Sequence, residues 1–555
     1  MVNKEGQWWR ESIAYQIYPR SFYDSNGDGI GDIRGIIDKL DYLKDLGINL
    51  IWICPIYKSP NDDNGYDISD YRSIQEEFGT MEDFDELLEK AHARGINIIM
   101  DLVINHTSDE HQWFIESRSS KDNPKRDWYI WKDGKDGLPP NNWASIFGGS
   151  AWEYDEKTNQ YYLHVFSQKM PDINWENADA RNHLYDMICW WLDKGIDGFR
   201  VDAISHIKKN DYSDMPNPDN LEYVQSFDKH MNQKGIQEFL LELSEKTFKP
   251  YNVFSIAEAS GVHSDEMEEW ISTKKGKFSC IFQFEHQHLW NMNNVEKHSF
   301  IEFKEALSKW QYATEEDGWI ALFLENHDLI RSINKFGDAD KYWKESAKCL
   351  ALMYFMQKGI PFIYQGQEIG MVNADYDSVY EFKDAPSIYV YEERITQGMD
   401  EKKSLDIMKA TTRDNSRTPM QWNNDTNGGF SNGIPWMKVN KNYRYINAEQ
   451  QKKDKDSILS FYKAMIGIRK NHKTLIYGKY KLLMEDSESI FAYERKDEKG
   501  IYLIACNLSK KEQILEVPYD LSHGQLLLKN YDKINEENQY VLKPYEARLY
   551  MLELQ

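Results

Sequence analysis

The chain has 555 residues, with 91 Asp and Glu against 67 Lys and Arg and a formal net charge of −24 at pH 7. So acidic a chain lacks the basic patches that offset phosphate charge, which argues against nucleic acid and anionic membranes as partners and leaves a neutral substrate compatible. The length exceeds one ordinary domain, and 41% hydrophobic with 14% aromatic content fills sizeable cores, so two or three packed domains are expected.

The amino-terminal stretch MVNKEGQWWRES carries no apolar segment of signal-peptide length, and no later run approaches 18 apolar residues, so a cytoplasmic location is expected. The five cysteines, Cys54, Cys189, Cys280, Cys349 and Cys506, are odd in number and far apart, as free thiols in a reducing compartment would be. No zinc spacing is present.

In chain order, the first β-rich run is IAYQIYPRSF. It is followed by DSNGDGIGD, residues 24 to 32, where oxygen-bearing side chains alternate in a glycine-rich turn. Calcium loops alternate oxygen donors in this way, but an EF-hand would need Glu where Gly35 stands, so that loop type is excluded. From spacing alone, a metal site and a metal-free Asp/Asn/Gly loop are equally open.

A unit then recurs: an amphipathic helical stretch, Gly, Ile, and an apolar run. It appears as LDYLKDLGINLIWICP, LLEKAHARGINIIMDLVINH, MICWWLDKGIDGFRVDA and MYFMQKGIPFIYQG, with Gly47, Gly95, Gly195 and Gly359 as expected helix C-caps. The runs are almost continuously apolar, as parallel strands covered on both faces are. NVFSIAEAS, FSCIFQFEH and WIALFLENHD complete a count of eight, which predicts an α/β fold of the (β/α)8 TIM-barrel type.

Two stretches break the regularity. Residues 105–171, rich in Trp, Tyr, Asn and Gly, predict a small inserted domain after strand 3, and about 376–438 reads as irregular and polar. Beyond about His472 the texture becomes short alternating strands (YKLLMED, SIFAYERK, GIYLIACNLS, ARLYMLEL), which predicts a C-terminal antiparallel β-sandwich over 473–555. The barrel is then expected over 1–104 and 172–472.

Barrel enzymes carry their chemistry at the carboxy-terminal strand ends. The polar residues there are Asn105 and His106, Arg200 and Asp202, Glu258, and His327 and Asp328, with Asp63, Tyr66 and Asp67 in the loop after strand 2. A single strand-end Asp is ordinarily a satisfied ion pair. Several carboxylates in one cleft repel one another, and function explains that better than stability.

With no zinc motif, phosphate loop or Ser-His pair, and no organic cofactor expected, three carboxylates point to glycosyl transfer. A retaining glycosidase uses one carboxylate as nucleophile and a second as acid/base. Asp202 beside Arg200 is expected ionised, hence the nucleophile; Glu258, in an apolar run, is expected to keep a proton and act as acid/base. Asp328 would bind sugar hydroxyls, while neutral His106 and His327 donate hydrogen bonds near the developing positive centre.

DLVINH, GFRVDAISH, AEAS and FLENHD, in that order, resemble the four signature regions of the α-amylase-type glycoside hydrolases (family 13). WWRESIAYQIYPRSFYDSNGDGIGDIRGI, SPNDDNGYDISDY, FGGSAWEYD, PDINWEN and RDNSRTPMQW are similar to its oligo-1,6-glucosidase and α-glucosidase subfamily. The resemblance implies the same roles for Asp202, Glu258 and Asp328. It also implies a closed glucose pocket formed by Asp63, Tyr66, His106, Phe166, Arg200, His327 and Arg413, with Asp63 and Arg413 paired at its floor and action from the non-reducing end. Phe147 and Phe166 would supply apolar walls, core filling being the alternative for each, and Arg417 would line the entrance. It favours the metal reading of the first loop, with Asp24, Asn26, Asp28, the Ile30 carbonyl and Asp32 holding a structural Ca2+ far from the chemistry.

Linkage preference turns on Ala203, next to the nucleophile. In the subfamily, Val there accompanies α-1,6 cleavage and smaller residues α-1,4 cleavage, so maltose-type substrates are expected, sucrose possible as a companion, and α-1,6 oligosaccharides the alternative. His206, at a position resembling an aglycone contact, supports this. Ala257 and Glu325 depart from the family pattern. QHLWNMN lacks the Arg-Leu-Asp-Arg-type stretch of sucrose isomerases, and the three retained acids with no membrane anchor set aside a non-catalytic barrel partner. A monomer or weak dimer acting on small oligosaccharides is expected.

Overall fold

A computed structural model describes residues 7–289, 300–534 and 538–553. Eight parallel strands form the central sheet: β1 (Ala14–Ile17), β2 (Leu50–Ile53), β3 (Asn97–Val103), β4 (Gly198–Asp202), β5 (Phe254–Glu258), β6 (Cys280–Phe282), β7 (Ala321–Leu322) and β8 (Ile360–Tyr364). Sequence neighbours pair throughout, β8 pairs with both β1 and β7, and a parallel bridge between Ile281 and Ile320 joins β6 to β7, so the sheet closes into a barrel. Several strands are shorter than their apolar runs. WIALFLENHD contributes only Ile320, Ala321 and Leu322 to the pairing, and its polar end continues as a loop over the mouth.

The helices between strands begin and end where side-chain chemistry allows. α1 (Ile33–Leu46) starts at Asp32, whose carboxylate accepts from the Gly35 N–H, and α2 (Met81–Ala93) starts in a Thr80/Asp83 capping box. α3 (Ala178–Lys194) ends at Gly195, whose φ of 102° is left-handed, and the chain turns there straight into β4. Gly359 departs from the expected cap role. The helix before it, α4 (Trp343–Phe355), already ends at Met356, and a Cβ on Gly359 would lie 2.5 Å from the Ile320 carbonyl oxygen. The glycine is needed for close approach of β8 to the chain entering β7.

Residues 105–171 hold a three-stranded antiparallel sheet (Trp131–Lys132, Gln160–Leu163 and Trp152–Asp155) over a local core of Ile130, Trp143, Trp152, Leu163 and Val165. Trp143 and Ala144 pair with Val224 and Gln225 from the loop after β4, tying this segment to the mouth. The stretch 376–438 is not irregular throughout: it forms α5 (Ala385–Thr396) and α6 (Glu401–Thr411), which pack around Tyr376, Phe382, Tyr391 and Met408. Its polarity comes from exposed helix faces. After residue 478 come a five-stranded antiparallel sheet and a separate two-stranded one. Ile490–Asp497 and Gly500–Asn507 are buried on both faces for most of their length, because α4 covers one side and the apolar core of Leu503, Ala505, Leu515 and Leu542 the other.

All five cysteines are free, and Cys189 alone is partly exposed. No helix among the described residues is long and apolar enough to cross a membrane. The stretch QHLWNMN runs past Leu289 into residues 290–299, outside the described residues.

Candidate active site

Arg200 and Asp202 lie on one side of β4, and that side faces the barrel axis. In the β3–β4 ladder Arg200 is the register partner of Asp101, and both are fully buried. One guanidinium collects three carboxylates: Arg200 Nη1 donates to Asp101 Oδ1 at 2.6 Å and Asp202 Oδ1 at 2.5 Å, and Nη2 lies 2.7 Å from Glu258 Oε1. Glu258 Oε2 also accepts from the Ala203 N–H at 2.8 Å. Asp202 and Glu258 are therefore held on the two ends of one guanidinium, facing the same cavity.

One fixed positive charge against three carboxyl groups leaves an excess of negative charge, which burial penalises. Burial raises Asp202 well above the usual carboxylate range. Arg200 pulls it down, while Glu258 and Asp101 push it up. The expectation that Asp202 beside Arg200 is ionised thus rests on a guanidinium that Asp101 and Glu258 share. Asp101 is pushed up to about 6 by burial against the opposing pull of Arg200.

Asp328 sits in the opposite regime. Burial would raise it, but His327, Arg413 and Arg417 hold it well below the ordinary range. Its Oδ1 lies 3.0 Å from Arg413 Nη1 and 2.9 Å from Arg417 Nη2, and its Oδ2 is 3.1 Å from His327 Nε2. Arg413 also reaches Asp63 at 3.1 Å and Asp384 at 2.7 Å. The Asp63–Arg413 pair stands in the pocket wall, and burial pushes Asp63 up to about 6 despite Arg413.

His106 and His327 are both neutral, driven down to about 3 chiefly by burial. His106 Nδ1 contacts the Asn105 amide, leaving Nε2 without a protein partner. His327 stacks on Tyr66 at 5.3 Å, and Tyr66 donates its hydroxyl to Asp101. These groups surround a cavity of about 300 Å³ whose walls include Asp63, Tyr66, His106, Phe147, Phe166, Asp202, Ala203, Glu258, Asp328 and Arg413. That volume suits a small-molecule ligand.

Three sequence-predicted residues stand elsewhere than expected. Arg417 is buried, not at the entrance; it lies beneath Asp328 and donates to the His327 carbonyl at 2.9 Å. Arg200 lies under the carboxylates it holds, and His327 likewise supports Asp328 from below. Glu325 turns away to Arg331 and the Ser332 N–H. His206 does face the cavity, with Nδ1 2.9 Å from His230 Nδ1.

Several lining residues carried no sequence signal: Ile146, Met170, Phe227, Met231 and Ser260 come from loops whose paths only the fold determines. Asp384, which bonds Arg413, belongs to the stretch read as irregular. Asp101 did carry a signal, a lone Asp within the apolar run NIIMDLV.

In the first loop, Asp24 accepts from the N–H groups of Gly27 and Gly29, Asn26 from Asp28, Asp28 from Ile30, and Asp32 from Ser25 and Gly35. The donors are all oxygen, the kind calcium takes, and among the described residues no ion pair reaches Asp24, Asp28 or Asp32. Among the same residues no three His, Cys, Asp or Glu side chains close on one point, so the set fits calcium in chemistry and is not closed in geometry.

A barrel mouth that gathers Asp202 and Glu258 above one arginine, beside Asp328 held by two more, fits a glycoside hydrolase. The chain belongs to the α-amylase family: residues 16–478 match its catalytic domain. It is 54% identical over 548 residues to the probable oligo-1,6-glucosidase 3 of Bacillus subtilis (strain 168), covering 98% of this chain and 99% of that one. It is 48% identical over 559 residues to the oligo-1,6-glucosidase of Bacillus cereus, covering 99% and 100%. Among solved structures, the trehalose-6-phosphate hydrolase of Bacillus licheniformis superposes with a TM-score of 0.93 at 42% identity, covering 99% and 100%.

Proposed function

We propose that this protein is a retaining, exo-acting α-glucosidase that removes the terminal non-reducing glucose of short oligosaccharides. The observation that carries the reading is the single Arg200 guanidinium gripping Asp202 and Glu258 in a pocket whose wall holds the Asp63–Arg413 pair. Asp202 attacks the anomeric carbon while Glu258 gives its proton to the glycosidic oxygen. Glu258 then takes a proton from the water that releases glucose. Asp328, anchored by two arginines and backed by His327, accepts hydroxyls of the distorted ring, and the neutral imidazole of His106 adds a hydrogen bond without opposing the oxocarbenium charge.

Within that class we favour α-1,4 substrates, because Ala203 leaves open space where the leaving sugar would sit. The α-1,6 reading is supported by the names of the relatives, six of them described as oligo-1,6-glucosidases or probable ones. Initial rates on maltose, isomaltose, sucrose and panose separate the two, and the anomer first released, read by NMR, tests retention. Release of β-glucose would overturn the retaining assignment.

The all-oxygen loop of Asp24, Asn26, Asp28, the Ile30 carbonyl and Asp32 would hold a structural Ca2+, with the exposed Asp28 drawn inward. Dialysis against a chelator should lower Tm, and Ca2+ should restore it; an unchanged Tm would rule the ion out.

A further inference from the structure

Beside the catalytic pocket lies a second cavity of about 380 Å³. Asp63, Phe147 and Phe166 form the wall between the two, since the same three residues line both. Its far side is made by Ser150, Glu153 and His164, with Tyr389 of α5 as a cover. Gly148 lets that cover close: a Cβ there would lie 2.1 Å from the Tyr389 ring. The inserted segment and α5 therefore meet around a cavity that neither encloses alone.

His164 supplies the clearest sign of a ligand. It is 3% exposed, and its Nδ1 lies 3.0 Å from the Phe166 carbonyl oxygen. A carbonyl only accepts, so Nδ1 carries the proton and Nε2 offers a lone pair. That Nε2 has no partner in the protein. A buried acceptor left unpaired costs about 1–3 kcal/mol, so such groups ordinarily meet a donor. Burial pushes His164 down to about 4, which keeps the lone pair available at neutral pH. The charged residues lining the cavity are acidic, with no Lys or Arg among the described lining residues, so an anionic ligand would be repelled.

We propose that this cavity is a second binding site, taking a neutral polyhydroxylated molecule of hexose size, with a ligand hydroxyl donating to His164 Nε2 and an apolar ring face against Phe166. The choice of D-glucose as probe rests on the α-glucosidase reading; the cavity itself does not. A molecule bound there would press on Asp63 from behind and tie occupancy of the second site to the Asp63–Arg413 pair.

The test is calorimetric titration of the inactive D202N protein with D-glucose, alone and in combination with Asp328→Ala, His164→Phe or Ser150→Leu. Two molar equivalents are expected for D202N. His164→Phe removes the acceptor and Ser150→Leu narrows the cavity, so each should abolish the second equivalent and leave the first. If His164→Phe does not fold, Ser150→Leu decides. A single equivalent that survives Ser150→Leu and vanishes with Asp328→Ala overturns the second site. A single equivalent that survives Asp328→Ala and vanishes with Ser150→Leu supports the second site and overturns the glucose reading of the catalytic pocket.

Discussion

Asp101 and Arg200 face each other across the β3–β4 ladder as register partners, and their side chains meet at 2.6 Å with neither reaching solvent. Asp101 thus fixes the guanidinium that in turn fixes Asp202 and Glu258. Its second oxygen accepts from Trp52 Nε1 at 3.0 Å and the Tyr66 hydroxyl at 2.9 Å, so one carboxylate braces both the floor and a side of the pocket.

Asp101→Asn should therefore damage catalysis without touching substrate. An amide has one acceptor where the site demands acceptance from Arg200, Trp52 and Tyr66, so at least one buried donor goes unpaired. Breaking a buried pair in this way costs about 3–5 kcal/mol. The expected outcome is a lowered Tm and a kcat on p-nitrophenyl α-glucoside reduced at least about tenfold at temperatures where the chain stays folded. Wild-type kcat in a folded variant would show that Arg200 needs no brace.

The two reacting carboxylates should separate by leaving group. On the proposed roles, Asp202→Asn removes the nucleophile and should lower kcat by about 10³-fold or more on every substrate. Glu258→Gln removes proton donation, a contribution of about 10²–10⁴. p-Nitrophenolate leaves without a proton, so this loss should appear in full for maltose and much less in the glycosylation step for p-nitrophenyl α-glucoside. Equal losses on both would remove Glu258 from the acid role.

Burial places Asp63 at about 6, against the pull of Arg413, and Asp101 at about 6, against Arg200. As pH falls through that value Asp63 protonates, and Arg413 keeps only Asp328 and Asp384 as charged partners. kcat/KM should therefore fall on the acid side with an apparent pKa near 6 that belongs to the coupled set. The stability sign is opposite. A carboxyl raised in the folded state binds more protons folded than unfolded between about pH 4 and 6, so these two groups make folding more favourable as pH falls. Activity lost at pH 5 should return at pH 7, with an unchanged circular dichroism spectrum throughout. Loss that tracks unfolding would assign the limb to other groups.

How much of this could be read in the residues alone depends on the kind of signal. The barrel was legible because parallel strands buried on both faces leave long apolar runs between helical patterns, and a charge at the end of such a run stands out. Asp202, Glu258 and Asp328 share that mark. Asp101 bears it too, and only the register of β3 against β4 reveals that it serves Arg200. Arg417 was misplaced because its neighbours in the chain say nothing of depth: the fold buries it beneath Asp328. Asp384 and the helices α5 and α6 were hidden by composition, since an amphipathic surface helix rich in charge differs little from a polar loop.

Ala203 supplies the last prediction, and the structure adds a cost to it. Its backbone is left-handed, with φ 43° and ψ 32°, because the chain must turn sharply after Asp202 to present the Ala203 N–H to Glu258 Oε2. Ala tolerates that region poorly and a β-branched residue more poorly still, a strain on the order of 1–3 kcal/mol. Ala203→Val should thus do two separable things. The added methyls intrude on the cavity where a leaving sugar sits, and the ratio of kcat/KM for isomaltose to that for maltose should rise several-fold. The strain should lower Tm by a few degrees, roughly 2–4 °C per kcal/mol for domains of 150–250 residues and less for a larger one. Ala203→Ser, small and unbranched, should leave both nearly unchanged. If Val lowers Tm while the ratio of rates stays fixed, then space beside the nucleophile does not set linkage preference, and the α-1,4 assignment loses its support.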